Sequence, residues 1–157
     1  MNIEGEIKKQ LENVQKRATK RVPRVSSLDY PDRLKQLNIP TLAYRRVRGD
    51  MIQMYKLHYG FYDKSLPDMF TLNTRESQGH NKKYRVKGSS SNPRKYNFAV
   101  KSIPLWNSLP PEAVDAEDIK SFEIALDEHW DDQAIKYENF KADINIISNR
   151  RLADYQT

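Results

Sequence analysis

Residues 41–60, "TLAYRRVRGDMIQMYKLHYG", predict a long helix with one buried side. Pro40 prevents an earlier helix from continuing, Thr41 is a suitable N-cap, and Gly60 is a suitable stop. With about 100° of rotation per residue, one side of this helix carries Ala43, Tyr44, Val47, Met51, Met54, Leu57 and His58. This stripe is typical of a helix that packs on the core of a domain.

The same stretch contains the tripeptide Arg48-Gly49-Asp50, which can form a receptor-binding loop in extracellular proteins. Here the tripeptide lies in the middle of the predicted helix, and Asp50 can pair with Arg46 one turn earlier. We therefore reject the adhesion interpretation. Arg45, Arg46 and Arg48 are instead candidate phosphate contacts; the alternative is that their stems pack on the helix while the charged heads lie in water.

The sequence before this stretch predicts two more helices. Six apolar residues recur at spacings of 4, 4, 3, 4 and 4, which predicts an amphipathic helix ending before Pro23: Ile3, Ile7, Leu11, Val14, Ala18 and Val22. A short helix should then begin at Pro31 and end at Leu37, with Leu34 and Leu37 facing inward. The first helix also carries Lys16, Arg17, Lys20 and Arg21. These form a basic groove-lining face, a nuclear-import patch or an ordinary solvated surface.

The second half of the chain predicts a small β-hairpin followed by a last helix. "KKYRVKG" (82–88) and "YNFAVKSIPLW" (96–106) alternate as strands do, and they contribute the candidate phosphate contacts Lys82, Lys83, Arg85 and Lys87. Lysines also protect edge strands from mispairing, which is the alternative explanation. Asp115 and Asp118 resemble a cap for the last helix, whose buried stripe is Ile119, Phe122, Leu126 and Trp130.

These elements predict a mostly α fold, a helical bundle with a small antiparallel β-hairpin before the last helix, with an α+β fold as the alternative. We expect a basic helical segment over residues 1–60, then a loop, hairpin and final helix over 61–130. Residues 131–157 should form an acidic, weakly ordered tail. The apolar fraction of 38% is small for a chain of this length, so only a modest core is expected.

Charge is distributed unevenly along the chain. Residues 1–101 contain 22 Lys and Arg against 9 Asp and Glu, whereas residues 102–157 contain 5 against 12. The strongly basic first part is what a protein that binds a phosphate backbone requires. The acidic second part either covers some of that charge or keeps the protein in solution.

Catalytic and metal-binding motifs are not found in the sequence. There are no cysteines, and the chain contains no glycine-rich phosphate loop, HExxH motif or GxSxG motif. Asp127 and Asp131, or Glu128 and Asp132, are one helical turn apart but lack a third clustered ligand, so we interpret them as a solvated helix end. His58, which lies on the predicted core stripe, is interpreted as a packed side chain. We expect no catalytic residues, metal, cofactor or small-molecule substrate.

No apolar run is followed by a small-residue cleavage site in the first thirty residues, and no stretch of about 18 apolar residues occurs. We therefore expect an intracellular protein of the nucleus or cytoplasm that does not bind a membrane.

Five sequence blocks, in order, resemble one family. They are "LENVQKRATKRV", "YPDRLKQLNIPTLAYRRVRGDMIQMYKLHYG", "GHNKKYRV", "NFAVKSIPLWNSLPPEAV" and "SFEIALDEHW". Together they are similar to the C-terminal region of LINE-type (non-LTR) retrotransposon endonuclease–reverse transcriptases of the jockey-like group. The resemblance covers roughly Gln10 to Trp130. His80 and Lys83 lie within the third block.

In such proteins the polymerase palm copies element RNA with paired aspartates in an aromatic-Ala-Asp-Asp motif. That motif does not occur here, and "KADI" around Asp143 is no substitute. The resemblance therefore implies a thumb-like and post-thumb region that does not polymerise by itself. It predicts that the chain holds RNA or an RNA–DNA hybrid through phosphates. The alternative is a structural module that docks on the upstream polymerase domain, or on another protein, without binding nucleic acid.

Overall fold

The computed structural model describes residues 3–61, 70–75, 78–86 and 93–146. In this part of the chain the helices are α1 (Ile3–Lys20), a 3₁₀ helix (Pro23–Val25), α2 (Tyr30–Leu37), α3 (Leu42–His58), α4 (Pro93–Asn107), α5 (Pro111–Val114), α6 (Ile119–His129) and α7 (Ala134–Tyr137). The strands β1 (Phe70–Leu72) and β2 (Tyr84–Val86) pair antiparallel. The predicted mostly α fold with a small antiparallel hairpin is confirmed.

The described residues form two compact units. The first contains those within Met1–Val47 and Asp131–Asn145, and the second contains those within Arg48–Trp130 together with Ile146. Helix α3 therefore contributes to both units. The division differs from the predicted segments, because residues 131–145 belong with the N-terminal helices instead of forming a separate tail.

The interior of the first unit is held by polar side chains. Glu12 on α1 is only 1% exposed, and the Tyr30 hydroxyl donates to its Oε1 atom at 2.5 Å. The backbone N–H of Leu42 donates to the same oxygen at 3.3 Å. A buried carboxylate is costly unless it is hydrogen-bonded, so these donors stabilise the packing of α1 beside the start of α3. Burial and the Glu12 bond both raise the pKa of Tyr30.

The buried Arg33 of α2 completes this network. Its Nε atom donates to the Thr19 hydroxyl at 3.2 Å, and its terminal nitrogens donate to the backbone oxygens of Leu28 at 2.8 Å and Lys16 at 3.2 Å. Its guanidinium also lies over the Tyr30 ring, 5.4 Å from the centroid. Arg33 thus connects α2 to the C-terminal part of α1.

Helix α1 buries the side that carries Glu12 and Thr19, and it exposes its apolar stripe. Ile3, Ile7, Leu11, Val14 and Ala18 are all exposed, although their spacing is typical of a buried helix face. Hydrogen bonds at Glu12 and Thr19 therefore help to orient this helix in the first unit. The helix also ends at Lys20, slightly earlier than Pro23 predicts.

Residues 131–145 are tied to the start of α3. Thr41 donates from its backbone N–H to the Lys136 oxygen at 2.8 Å and from its hydroxyl to the Ile135 oxygen at 2.5 Å. Ile135 is buried. The weakly ordered tail predicted from residue 131 onward is thus replaced, up to Asn145, by a packed segment that contains the short helix α7. Residues 147–157 lie outside the described part of the chain.

The predicted ends of α3 are confirmed. The Thr41 hydroxyl accepts the Tyr44 N–H at 3.1 Å, as an N-cap does, and Gly60 follows the helix with a φ of 69°. Of the predicted stripe, Tyr44, Met51 and Met54 are buried, while Ala43, Val47, Leu57 and His58 are half-buried. The Arg48-Gly49-Asp50 tripeptide lies inside α3, as expected.

The second unit has an aromatic core. Trp106, Phe122 and Tyr55 are all buried, and the Tyr55 ring stacks on Phe122 with centroids 4.7 Å apart. Asp118 caps α6 by accepting the Ser121 N–H at 2.7 Å, so the predicted cap is confirmed at this residue. The predicted α6 stripe is also confirmed, since Phe122, Leu126 and Trp130 are buried and Ile119 is half-buried.

The predicted partner of β2 is wrong. "YNFAVKSIPLW" lies in α4, and β2 pairs instead with β1, in the register Phe70 with Val86 and Leu72 with Tyr84. The buried residues of α4 include Ala99, Ser102, Ile103 and Trp106, whose spacing is helical. Burial of Trp106 at this spacing outweighs the five-residue alternation that suggested a strand.

Candidate nucleic-acid interface

The C-terminal end of α1 and the 3₁₀ helix that follows carry a dense cluster of cations. Five exposed basic residues form what we call the α1 basic patch: Lys16, Arg17, Lys20, Arg21 and Arg24. Residues 13–28 contain no Asp or Glu, so no acid within the segment neutralises the patch. The sequence prediction included the first four residues and missed Arg24, which the same acid-free run would have indicated.

Two residues of α2, Arg33 and Tyr30, hold the start of the α1 basic patch in position. Arg33 holds the Lys16 backbone oxygen, and the Lys16 ammonium lies over the Tyr30 ring, 5.7 Å from the centroid. Cations also suit this end of a helix because the helix dipole is negative there. The patch is therefore built on an ordered helix end, which limits the conformational entropy lost when it binds a ligand.

The three arginines of α3 have different environments. Arg45 is exposed and donates to the Gln15 side chain of α1, which places it beside the patch, and Arg46 is exposed as well. Arg48, in the second unit, is half-buried, and its Nε and terminal nitrogen bind the two Asp127 oxygens at 2.7 and 3.0 Å. A phosphate would have to displace this bidentate carboxylate, so Arg48 is not part of the interface that we propose.

The cations near β2 do not form the predicted row. Lys82 binds Asp115 at 2.5 Å and the Tyr59 hydroxyl at 3.1 Å, and the Asp115 bond raises the pKa of Lys82. Lys83 lies just before β2 and donates to the Gln78 backbone oxygen, whereas Arg85 is exposed on the strand. Lys87 lies outside the described residues. The strand therefore presents Arg85 without the regular ladder that its sequence suggested.

Two carboxylates that the sequence suggested as metal ligands, Asp127 and Asp131, bind cationic side chains of the protein. Asp127 pairs with Arg48, and Asp131 accepts from the Lys136 ammonium at 3.0 Å. Within the described ranges, no group of three His, Asp or Glu residues is arranged to hold a metal ion. In the part of the chain that the structure describes, no helix is both long and apolar enough to span a membrane.

His58 and His80 have structural contacts in the second unit. His80 is buried; its Nε2 atom donates to the Trp106 backbone oxygen at 2.9 Å, and its Nδ1 atom accepts the Lys82 N–H at 3.1 Å. His58 bonds the Tyr84 hydroxyl through Nδ1. Burial lowers the pKa of both imidazoles, and burial raises the pKa of Tyr84 to about 12. Both histidines thus stabilise the packing around Trp106 in their neutral form.

We expect the second unit to lose stability as the pH falls from 7.5 to 5. An unfolded histidine has a pKa of about 6.5, and the folded values are lower, so the unfolded state binds more protons over this interval. The stabilisation is complete above the unfolded pKa and is lost as the pH falls toward the folded values. Urea unfolding, measured by tryptophan fluorescence, should have a lower midpoint at pH 5 than at pH 7.5.

A His58→Gln variant should reduce this pH dependence, and the control His129→Gln should preserve it because His58 and His80 both remain. An equal urea midpoint at pH 7.5 and 5 would contradict the assignment.

No protein-family model, curated protein or solved structure matches this chain.

Proposed function

We propose that this chain is a non-catalytic C-terminal segment of a LINE-type reverse transcriptase that holds RNA or an RNA–DNA hybrid through phosphate contacts. The observation that carries the binding proposal is the α1 basic patch, five exposed cations on an ordered helix end. The five sequence blocks support the relationship to reverse transcriptases. Because no aromatic-Ala-Asp-Asp motif occurs in the sequence, we propose no polymerase activity for the chain by itself.

The cations of the α1 basic patch suit contacts with the phosphate backbone of a nucleic acid, which do not recognise individual bases. Lys16 and Lys20 are one helical turn apart, about 6 Å along the axis, and Arg17 lies between them in the last turns of the helix. Such paired cations can contact successive phosphates, which fix the position of a nucleic acid but carry no sequence information. Arg45, which reaches Gln15, extends the positive surface along α1. We therefore expect binding that tolerates any sequence and weakens with salt.

Fluorescence anisotropy across a salt series tests this proposal. With five phosphates neutralised on a duplex, the logarithm of the binding constant should fall with the logarithm of salt concentration with a slope of about −4.5. RNA–DNA hybrid, single-stranded RNA and duplex DNA of two unrelated sequences provide the comparison. Absence of binding at low salt would refute the proposal. An affinity that does not change with salt concentration, or that depends on base sequence, would refute binding through the phosphate backbone.

A further inference from the structure

A second surface of the first unit is apolar and exposed. The apolar stripe of α1, namely Ile3, Ile7, Leu11, Val14 and Ala18, extends along the whole helix, and its four large residues are 66%, 48%, 42% and 62% exposed in that order. Isolated apolar residues are normal on a protein surface. A continuous row along an 18-residue helix is different, because it removes little apolar area from water unless another helix covers it.

We propose that the stripe is covered by α1 of a second copy of the chain, lying antiparallel to the first. The inner residues Ile7, Leu11, Val14 and Ala18 follow one another at spacings of 4, 3 and 4. Alternating spacings of three and four produce the seam of paired helices. This order is the same from either end, so a reversed copy places Leu11 against the partner's Val14 and Ile7 against the partner's Ala18.

The charges on α1 favour the antiparallel orientation. The first turn contains Glu4 and Glu6, and the last turn contains Arg17 and Lys20. When Leu11 faces Val14 of the other copy, Glu6 comes within one helical turn of that copy's Arg17 and Arg21. A parallel pair would instead bring the acidic first turns together and the basic last turns together. The antiparallel pair is also a closed two-fold arrangement, which needs no further copies.

The first unit does not need the stripe for its own packing. Helix α1 contacts α2 and α3 through Glu12, Gln15 and Thr19. Glu12 and Thr19 lie on a different side of the helix from Leu11 and Val14, and Gln15 lies between the two sides. Substitutions in the stripe should therefore change association while leaving the folded monomer intact. Lys16 and Lys20 of the α1 basic patch face away from the stripe, whereas Arg17 and Arg21 flank it and lie near the partner's Glu6 in the proposed pair.

Sedimentation velocity over a concentration series tests the association. The wild-type chain should form a dimer, and the double variant Leu11→Glu/Val14→Glu should raise the dimer Kd by about 100-fold or more, because it removes two apolar contacts in each copy. Circular dichroism should show unchanged helix content. The matched control is Val100→Glu/Ile124→Glu, which alters two exposed apolar residues of α4 and α6 and should still dimerise. A monomeric wild-type chain at all concentrations would overturn the proposal, as would a double variant that dimerises normally.

Cysteine cross-linking tests the orientation, and the chain supplies no competing thiols because it contains no cysteine. An equimolar mixture of Ile7→Cys and Ala18→Cys chains should form the mixed disulfide selectively. In a parallel pair these positions would be about 16 Å apart along the axis, too far for a disulfide, and each variant would cross-link to itself. Predominant self-cross-linking would overturn the antiparallel pair. The upstream segment of a longer chain can also be added as a separate polypeptide. If that segment binds at Leu11 and Val14 and the dimer is lost, the stripe belongs to that segment and the dimer proposal is wrong.

Discussion

Reversal of Lys16, Arg17, Lys20 and Arg21 to glutamate is expected to weaken binding to an RNA–DNA hybrid by at least about 100-fold at low salt. Each reversal removes a phosphate contact and adds a repulsive charge, so the salt slope of binding should lose about 3 to 4 units. All four side chains are exposed at or just after the end of α1, and Lys16 in addition lies over the Tyr30 ring. Anisotropy titrations of both proteins across a salt series measure the affinity and the slope.

The matched control places the same total charge change elsewhere on the exposed surface. Arg75, Lys101, Lys120 and Lys141 are exposed, and their reversal to glutamate changes the net charge equally. This control should lose only a small part of the affinity through long-range electrostatics. A glutamine series at the four α1 positions removes the contacts without placing acids at the negative end of the helix dipole. If both reversal variants lose affinity equally, binding follows net charge and the α1 basic patch is not the interface.

Much of the fold follows from local signals. Helix α3 could be predicted because its N-cap, its stop and its stripe all lie within residues 41–60. Helix α6 is similar, since Asp118 and the apolar residues after it suffice. Strand β1 could not be found in this way, because its three residues pair with β2 across a separation of more than ten residues. Local alternation in α4 was misleading, since the deeply buried Trp106 selects a different set of neighbours.

The sequence could place the α1 basic patch but not the partners of the other cations. Arg48 binds Asp127, 79 residues later, and Lys82 binds Asp115, 33 residues later. Nothing near either residue in the sequence indicates these pairs. Likewise, the spacing of Ile7, Leu11 and Val14 shows which side of α1 is apolar. It does not show that Glu12 and Thr19 are buried, which depends on Tyr30 and Arg33 of α2.

Trp106→Ala should be the most damaging single substitution in the second unit. Trp106 is completely buried, its ring lies 5.7 Å from His58 and 6.1 Å from Phe122, and its Nε1 atom donates to the Lys82 oxygen at 2.9 Å. Truncation of a buried Trp costs about 3–5 kcal/mol, a large part of the roughly 5–15 kcal/mol that stabilises a typical domain. We expect a large fall in the urea midpoint of unfolding. The fluorescence of Trp130, the remaining tryptophan, measures this midpoint.

Two further variants separate the causes of this effect. Trp106→Phe retains an aromatic side chain but loses the N–H donor to Lys82, so it should destabilise the unit by less than Trp106→Ala. Val100→Ala, at an exposed position of the same helix, should change stability by no more than about 0.5 kcal/mol. A Trp106→Ala midpoint equal to that of Val100→Ala would show that the aromatic cluster does not stabilise this unit. An intermediate value for Trp106→Phe would show that the phenyl ring retains part of the packing, while the smaller ring and the lost Lys82 bond account for the remaining destabilisation.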